Sequence, residues 1–281
     1  MDEIFTDKLK AHWDRNKFLC VGLDPQIDKL PQIVRKSFTT ISEQIFEFNK
    51  AIIDVTSEYV CAFKPNSSFY EMHGAEGFSV LQKTIAYIHK YYPSIPVILD
   101  AKRGDIGNSN LGYAISAFDI LKADAITIHS YLGQEAVQPL LERKDKGIIL
   151  LVKTSNKGSF EFQDLIIEEN GIKMPLYKKI ALNISQKWNS YGNCAIVVGA
   201  TYPAELKAVR ALVGDMPILI PGIGVQGGDL KTTVSAGKDS KNQGMIINVA
   251  RSVLFASSDI DYAQAAKSEA QRLYQQIISF L

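Results

Sequence analysis

The sequence predicts an α/β fold of the (β/α)8 TIM-barrel class, arranged as one domain over residues 1–281. Three observations predict it. Eight short runs rich in Ile and Val recur along the chain, and stretches of helical periodicity separate them. No change of composition and no Ser/Pro-rich linker interrupts this alternation. Dividing 281 residues by eight gives about 35 per strand and helix unit, the size a barrel of this class needs. A doubly wound open sheet is the competing arrangement.

The strands are expected at Phe18–Asp24, Cys61–Pro65, Pro96–Lys102, Ala125–His129, Gly147–Thr154, Asn193–Gly199, Pro217–Pro221 and Gly244–Ala250. Each is a short apolar run that ends in polar residues or Gly. Segments such as VILD, IILLV, AIVVG and MIINV are continuously apolar, as parallel strands covered on both faces must be. Between them the apolar spacing predicts helices over Ile41–Tyr59, Ala75–Tyr92, Leu111–Leu121, Gly133–Lys144, Pro175–Trp188, Pro203–Leu212 and Leu230–Ala236. A last helix is expected from about Tyr262 to Phe280.

Composition bounds the function. About 46% of residues are apolar and 22% charged, which argues against disorder, collagen and coiled coil. The net charge of +1 argues against broad electrostatic binding to nucleic acid or to a membrane surface, so an anionic ligand must be held locally. The three cysteines, Cys20, Cys61 and Cys194, are far apart, lack CxxC spacing and sit in apolar runs; buried thiols in a reducing compartment are expected. The segment MDEIFTDKLK lacks the apolar stretch of a signal peptide, and no apolar run approaches the roughly 18 residues that span a bilayer. A cytoplasmic protein is expected.

In a barrel the chemistry sits where strands end. The third strand ends in Asp100-Ala101-Lys102-Arg103-Gly104-Asp105-Ile106-Gly107. Alternation along a strand puts Asp100 and Lys102 on one face, and the turn supplies Asp105, so a cation is bracketed by two carboxylates. An ordinary ion pair at the barrel mouth is the plainer alternative. Lys102 held as an ammonium is the wrong state for a Schiff base and the right one for donating a proton to a carbanion. Mg²⁺ between the two carboxylates would be repelled by that ammonium.

The seventh strand runs into Pro221-Gly222-Ile223-Gly224-Val225-Gln226-Gly227-Gly228-Asp229, and the eighth into Val249-Ala250-Arg251. Gly222, Gly224 and Gly227 form a literal GxGxxG, yet they follow the seventh strand instead of the first. A phosphate cradle fits better than a dinucleotide site there, with Arg251 as a fork-shaped cation; a plain tight turn is the third reading. Asp24 ends the first strand and Lys64 the second, where a surface salt bridge competes with a ligand contact. After Lys153-Thr154-Ser155-Asn156, mostly polar sequence up to about Lys173 reads as a lid or as a variable surface loop. His12, His73, His89 and His129 show no metal-ligand spacing; His129 is expected in the core or behind the site, and Trp13 and Trp188 in packing.

With these segments in place, the chain resembles the orotidine 5′-phosphate decarboxylase family over nearly its whole length. The resemblance rests on Gly22-Leu23-Asp24-Pro25, the DxKRGDIG run from Asp100 to Gly107, Thr154-Ser155-Asn156, Val197-Val198-Gly199-Ala200-Thr201, the glycine-rich run from Pro221 to Asp229, and Arg251. It is closest to the longer branch of that family. It implies conversion of orotidine 5′-monophosphate to uridine 5′-monophosphate without metal or organic cofactor, in a homodimer with shared sites. By that resemblance Lys102 protonates C6, Asp100 crowds the substrate carboxylate and orients Lys102, and Asp105 with Ile106 reaches the neighbouring subunit's site. Asp24 and Lys64 would take ribose hydroxyls, Ser109 would supply a hydroxyl contact, and Ser155 would meet the pyrimidine. Gln226 and Arg251, with the backbone around Gly222, Gly224, Gly227 and Ala250, would hold the phosphate. Lys157 stands where this branch usually has proline, and Ser109 where threonine is common. A metal-dependent sugar-phosphate decarboxylase or aldolase of the same superfamily is the alternative, and a silent phosphate-binding barrel is a third reading; Lys64 stands where the metal-dependent relatives favour a ligand carboxylate.

Overall fold

The computed structural model describes residues 4–224 and 227–281. Its strands are β1 (Leu19–Leu23), β2 (Val60–Pro65), β3 (Ile98–Arg103), β4 (Ala125–Ile128), β5 (Gly147–Lys153), β6 (Ile166–Glu169), β7 (Ile172–Pro175), β8 (Cys194–Val198), β9 (Ile218–Pro221) and β10 (Met245–Val249). The α-helices are α1 (Phe5–Trp13), α2 (Gln32–Ser37), α3 (Ile41–Thr56), α4 (Ser68–Glu71), α5 (Gly74–Tyr91), α6 (Gly107–Ala114), α7 (Gly133–Leu141), α8 (Phe160–Gln163), α9 (Leu176–Asn183), α10 (Pro203–Val213), α11 (Leu230–Gly237), α12 (Arg251–Leu254) and α13 (Tyr262–Ser279).

Eight of the strands pair in parallel in the order β2-β1-β10-β9-β8-β5-β4-β3. Single bridges from Phe63 to Val97 and from Asn66 to Asp100 carry β2 toward β3, so the sheet nearly closes on itself. The eight strands expected from the sequence are all present, and helices alternate with them around the outside. Their apolar runs are buried on both faces, β1 and β10 along their whole length. Helix α3 begins at a reciprocal cap in which Thr40 accepts from the Glu43 amide and Glu43 from that of Thr40. Helices α6 and α9 continue into wider π turns, over Ile115–Ile120 and Ile184–Trp188, where the sequence pattern predicts unbroken helix.

The N-terminal helix α1 plugs the barrel at the end where the strands begin. Trp13 donates from its ring to the Met245 carbonyl at 2.8 Å, and Lys8 pairs with Asp124 at 2.9 Å. Phe5 fills the hollow left by Gly147, where an added Cβ would lie 2.2 Å from its ring. Asp124 also accepts the Val97 amide at 2.8 Å and the His89 ring at 3.0 Å, tying α1, α5 and the start of β3 together.

The stretch after β5 differs from its expected featureless form. It contains a helical turn, α8, and an antiparallel hairpin of β6 and β7. The cause is legible after the fact: Asn170 and Gly171 both adopt positive φ, at 53° and 76°, which is the Asn-Gly hairpin turn between two alternating segments. The three cysteines are free and buried, and burial pushes the Cys20 and Cys194 thiols up to about 12. No helix among the described residues is long and apolar enough to cross a membrane.

Candidate active site

Where the strands end, a cavity of about 560 Å³ opens at the barrel mouth. One half of its lining is polar: Asp24 just after β1, Lys64 from β2, Asp100 and Lys102 from β3, and Thr127 from β4. The facing half is apolar, with Leu151, Val197, Leu219 and Pro221 from β5, β8 and β9. Ser155, Asn156 and Gln163 lean over it from the segment after β5.

Asp100 is the hub of the polar half. Its two oxygens accept from Lys64 at 2.8 Å and from Lys102 at 2.7 Å, and the Thr127 hydroxyl donates to it at 2.8 Å. Burial alone would raise the Asp100 carboxyl, but the two ammonium groups outweigh it and hold it well below the ordinary carboxylate range. Burial would lower Lys64; the charges of Asp100 and Asp24 and the hydrogen bond to Asp100 instead raise it above its ordinary value. Lys64 is 3% exposed, so this pair is interior and not the surface bridge that composition alone allows. Asp24 goes the other way: burial raises its carboxyl despite the Lys64 charge, and its Oδ1 has no hydrogen-bond partner.

Lys102 sits on a distorted strand end. Pairing of β3 with β4 shifts register between Leu99 and Arg103, and Lys102 adopts φ 47°, a left-handed backbone costing a side-chain-bearing residue about 1–3 kcal/mol. Its amide is held by the Thr127 hydroxyl at 3.0 Å. The strain and the tethers together present the ammonium beside Asp100 and leave its side chain half exposed to the cavity.

The expected bracketing of Lys102 by two carboxylates does not form within the chain. Asp105 makes no ion pair with Lys102 among the described residues. It lies beyond the Gly104 turn and lines a separate cavity with Ser109, Arg103 and Glu71. The turn packs so closely on His129 that an added Cβ on Gly104 would lie 2.2 Å from its ring, and the chain then enters α6 at Gly107 with φ 46°. His129 contacts the Gly104 carbonyl at 3.2 Å and acts as a brace for that turn. Ile106 is exposed, 59% accessible, and Leu111, Ile115 and Leu132 are exposed as well.

A second cavity of about 390 Å³ adjoins the first through Asp24, Asn66, Pro221 and Asn248, and is lined further by Gly222, Ile223, Ala250, Arg251 and Ser252. Gly222, Gly224 and Gly227 all have positive φ, and the loop folds back on itself with the Gly228 amide on the Gly222 carbonyl at 3.0 Å. Close approach matters too, since a Cβ on Gly22 would lie 2.7 Å from that of Ala250. Gln226 falls outside the described residues.

Sequence reasoning missed several residues of this neighbourhood. Thr127 and Asn248 are each a polar side chain inside an otherwise apolar strand run, AITI and MIINV, and that interruption is the signal. Lys153, fully buried, donates to Ser159 at 3.1 Å and Asp164 at 2.7 Å and lies 4.4 Å from the Tyr202 ring centre, anchoring the segment after β5. Gln163 reaches back to both the amide and the hydroxyl of Thr154 at 2.9 Å. Among the described residues, no three His, Cys, Asp or Glu side chains cluster as a metal site.

Fold and site define the class: a (β/α)8-barrel enzyme with an ammonium–carboxylate array at its mouth and a glycine-rich cavity beside it. The chain belongs to the orotidine 5′-phosphate decarboxylase / HUMPS family, whose model matches residues 17–267. It is 48% identical over 276 residues to the orotidine 5′-phosphate decarboxylase of Cellvibrio japonicus, covering 97% of each chain. It is 49% identical over 274 residues to that of Ralstonia nicotianae, again covering 97% of each. Leishmania donovani OMP decarboxylase superposes with a TM-score of 0.81 at 36% identity, covering 97% of this chain and 99% of that one. Leishmania donovani UMP synthase gives 0.87 at 37% identity; 99% of this chain matches there, and it spans 56% of that longer protein.

Proposed function

We propose that the protein decarboxylates orotidine 5′-monophosphate to uridine 5′-monophosphate in pyrimidine biosynthesis, with Lys102 as proton donor. The observation that carries this reading is the Lys64–Asp100–Lys102 array in a cavity whose opposite wall is apolar. The C6–carboxylate bond breaks heterolytically, carbon dioxide leaves, and the electron pair stays in the ring plane on C6, with no electron sink to delocalise it. A cation fixed in advance beside C6 lowers the cost of that charge. Lys102 Nζ gives C6 its proton and is reprotonated from solvent. Asp100, held ionised by its two ammonium partners, orients Lys102 and crowds the departing carboxylate. This chemistry needs no metal or organic cofactor.

The remaining parts follow the substrate's shape. Arg251 and the backbone around Gly222, Gly224, Gly227 and Ala250 take the phosphate, and the family resemblance adds Gln226 to that role. Asp24 and Lys64 meet the ribose, and Ser155 the pyrimidine. Phosphate binding far from C6 supplies the energy that draws the segment carrying Ser155 and Lys157 over the cavity. Asp105, Ile106 and Ser109 serve the neighbouring site of a homodimer, a reading supported by the exposed apolar side chains of Ile106, Leu111 and Ile115 and by the place of Asp105 in a cavity apart from that of Lys102. The enzyme acts in the cytoplasm on a small nucleotide, with no role for nucleic acid or membrane.

The test is direct. Mixing the protein with orotidine 5′-monophosphate should bleach the orotate absorbance with release of carbon dioxide, and chelator should leave the rate unchanged. Lys102→Ala should abolish turnover while uridine 5′-monophosphate still binds by calorimetry. Near-normal turnover in that variant would remove Lys102 from the role of proton donor.

A further inference from the structure

Strand β5 is apolar from Ile148 to Val152 and then buries a lysine, for Lys153 is 0% exposed. An ammonium stripped of water is tolerated only where hydrogen bonds and charge replace that water. Both hydrogen-bond partners of Lys153 among the described residues lie in the segment that follows the strand: Ser159 at 3.1 Å and Asp164 at 2.7 Å. The Tyr202 and Tyr177 rings add cation–π contacts at 4.4 and 5.9 Å. Lys153 is therefore satisfied only while that segment is folded onto it.

The same contacts run on to the cavity of Lys102. Ser159 donates to the Tyr202 hydroxyl at 3.2 Å, and that hydroxyl donates to the Asn156 carbonyl at 3.3 Å, so the donors from Lys153 onward all point one way. Gln163 accepts the Thr154 amide and donates to the Thr154 hydroxyl, which in turn donates to Asn156 Oδ1 at 2.6 Å. The Ser155 carbonyl accepts from Thr201 at 3.3 Å, and an added Cβ on Gly199 would lie 2.7 Å from Ser155 Cα, so the Ser155 backbone is seated just beyond the end of β8. Thr154, Ser155, Asn156 and Gln163 are the residues this segment gives to the cavity, and Lys153 holds them without lining it.

We propose that Lys153 is a positioning residue for the reaction: its buried ammonium, clipped to Ser159 and Asp164, keeps residues 154–164 stiff beside the cavity before any ligand arrives. Phosphate binding then closes a stiff cap instead of ordering a loose loop. Without the clip only a fraction of molecules hold Ser155 and Gln163 in place, and apparent affinity falls by that fraction. The loss falls on ligands whose ring reaches Ser155, while a ligand that ends at the sugar keeps its affinity. This rests on the reading that the substrate is a nucleoside 5′-monophosphate whose ring meets Ser155.

The experiment measures kcat and KM on orotidine 5′-monophosphate, and inhibition by uridine 5′-monophosphate and by ribose 5-phosphate, for wild type, Lys153→Met and Asp164→Asn. A second arm, without nucleotide, follows tryptic cleavage after Lys157, an exposed residue of the segment. Lys153→Met should raise KM and the uridine 5′-monophosphate inhibition constant about tenfold, through loss of charge-assisted hydrogen bonds. It should leave kcat and the ribose 5-phosphate constant within about twofold and speed the cleavage about tenfold. Asp164→Asn keeps Ser159 on the ammonium and should move the same quantities in the same direction by less, about threefold. Equal losses on both inhibitors, or a fall in kcat with KM unchanged, overturn the assignment. So does a uridine 5′-monophosphate constant or a cleavage rate within about twofold of wild type. The Asp164 side chain is 40% exposed, so Lys153→Met strands no buried carboxylate; if circular dichroism still shows that variant unfolded, Asp164→Asn decides on the same readouts. A wild type that fails to turn over orotidine 5′-monophosphate defeats the substrate reading alone, since the cleavage arm tests the clip without it.

Discussion

Replacing Lys64 with Met keeps the length and bulk of the side chain and removes a buried positive charge. In the wild type Lys64 Nζ lies 2.8 Å from Asp100 Oδ2 at a site only 3% exposed. At an effective dielectric of about 20, unit charges that close attract by roughly 6 kcal/mol. Part of this is regained because methionine has no ammonium to strip of water. Removing one partner of a buried pair costs about 3–5 kcal/mol, because the other charge is left behind. For a chain near this size each kcal/mol shifts the melting point by roughly 2–4 °C, so Lys64→Met should melt roughly 6–20 °C lower at neutral pH. Asp100 has a depressed folded pKa, so its contribution is present above its unfolded value of about 3.9 and is lost as pH falls through the folded one. The gap between variant and wild type should therefore persist at neutral pH and narrow in acid. Asp100 keeps its Lys102 partner in this variant, and removing Asp100 as well, in Lys64→Met/Asp100→Leu, should cost less than the two single losses summed. Melting curves by circular dichroism from pH 3 to 8 read the wild type, both single variants and the double variant. A Lys64→Met variant that melts within about 2 °C of wild type, or a double variant whose losses simply add, would refute the reasoning.

Asp24 carries the opposite sign. Its folded pKa is raised, so its ionised form destabilises the fold above that value, and the penalty is relieved as pH falls through it. Asp24→Asn should raise the neutral-pH melting point by a few degrees while increasing KM, which melting and initial rates would show together; an unchanged KM would remove Asp24 from the sugar site. Mixing inactive Lys102→Ala and Asp105→Ala proteins should restore up to about a quarter of wild-type activity through hybrid dimers, if each site takes Lys102 from one subunit and Asp105 from the other. Verified subunit exchange without recovery would count against shared sites. Gly104→Ala forces a Cβ to within 2.2 Å of the His129 ring and should cost about 1–3 kcal/mol, which His129→Ala in the same chain should partly return.

Most of the fold is legible because parallel strands buried on both faces must be continuously apolar, and eight such runs leave few architectures. The hairpin at Ile166–Pro175 was harder to see because its strands are largely exposed and carry no apolar run; only Asn170-Gly171 marks it. In the site, the residues at strand ends were readable, since a charge that ends an apolar strand has little other reason to be there. Lys64, Asp100 and Lys102 duly meet. Asp105 does not join them, because spacing along a strand says nothing about the direction of a turn that packs, at Gly104, against His129, 25 residues further on. Thr127 and Asn248 escaped notice because a single polar residue inside a strand reads equally as a satisfied core group. Lys153 escaped because its partners Ser159 and Asp164 lie in a segment whose path the sequence pattern did not fix.

The division of the barrel mouth into a charged half and an apolar half has a consequence for registration. A ligand that enters meets a gradient of polarity across the cavity, from the Lys64–Asp100–Lys102 array on one wall to Leu151, Val197 and Leu219 on the other. That gradient is carried by strand residues, which cannot shift without breaking the sheet. A molecule with one polar and one apolar edge is therefore aligned by the scaffold before any loop moves, and the loops are left to govern residence and access.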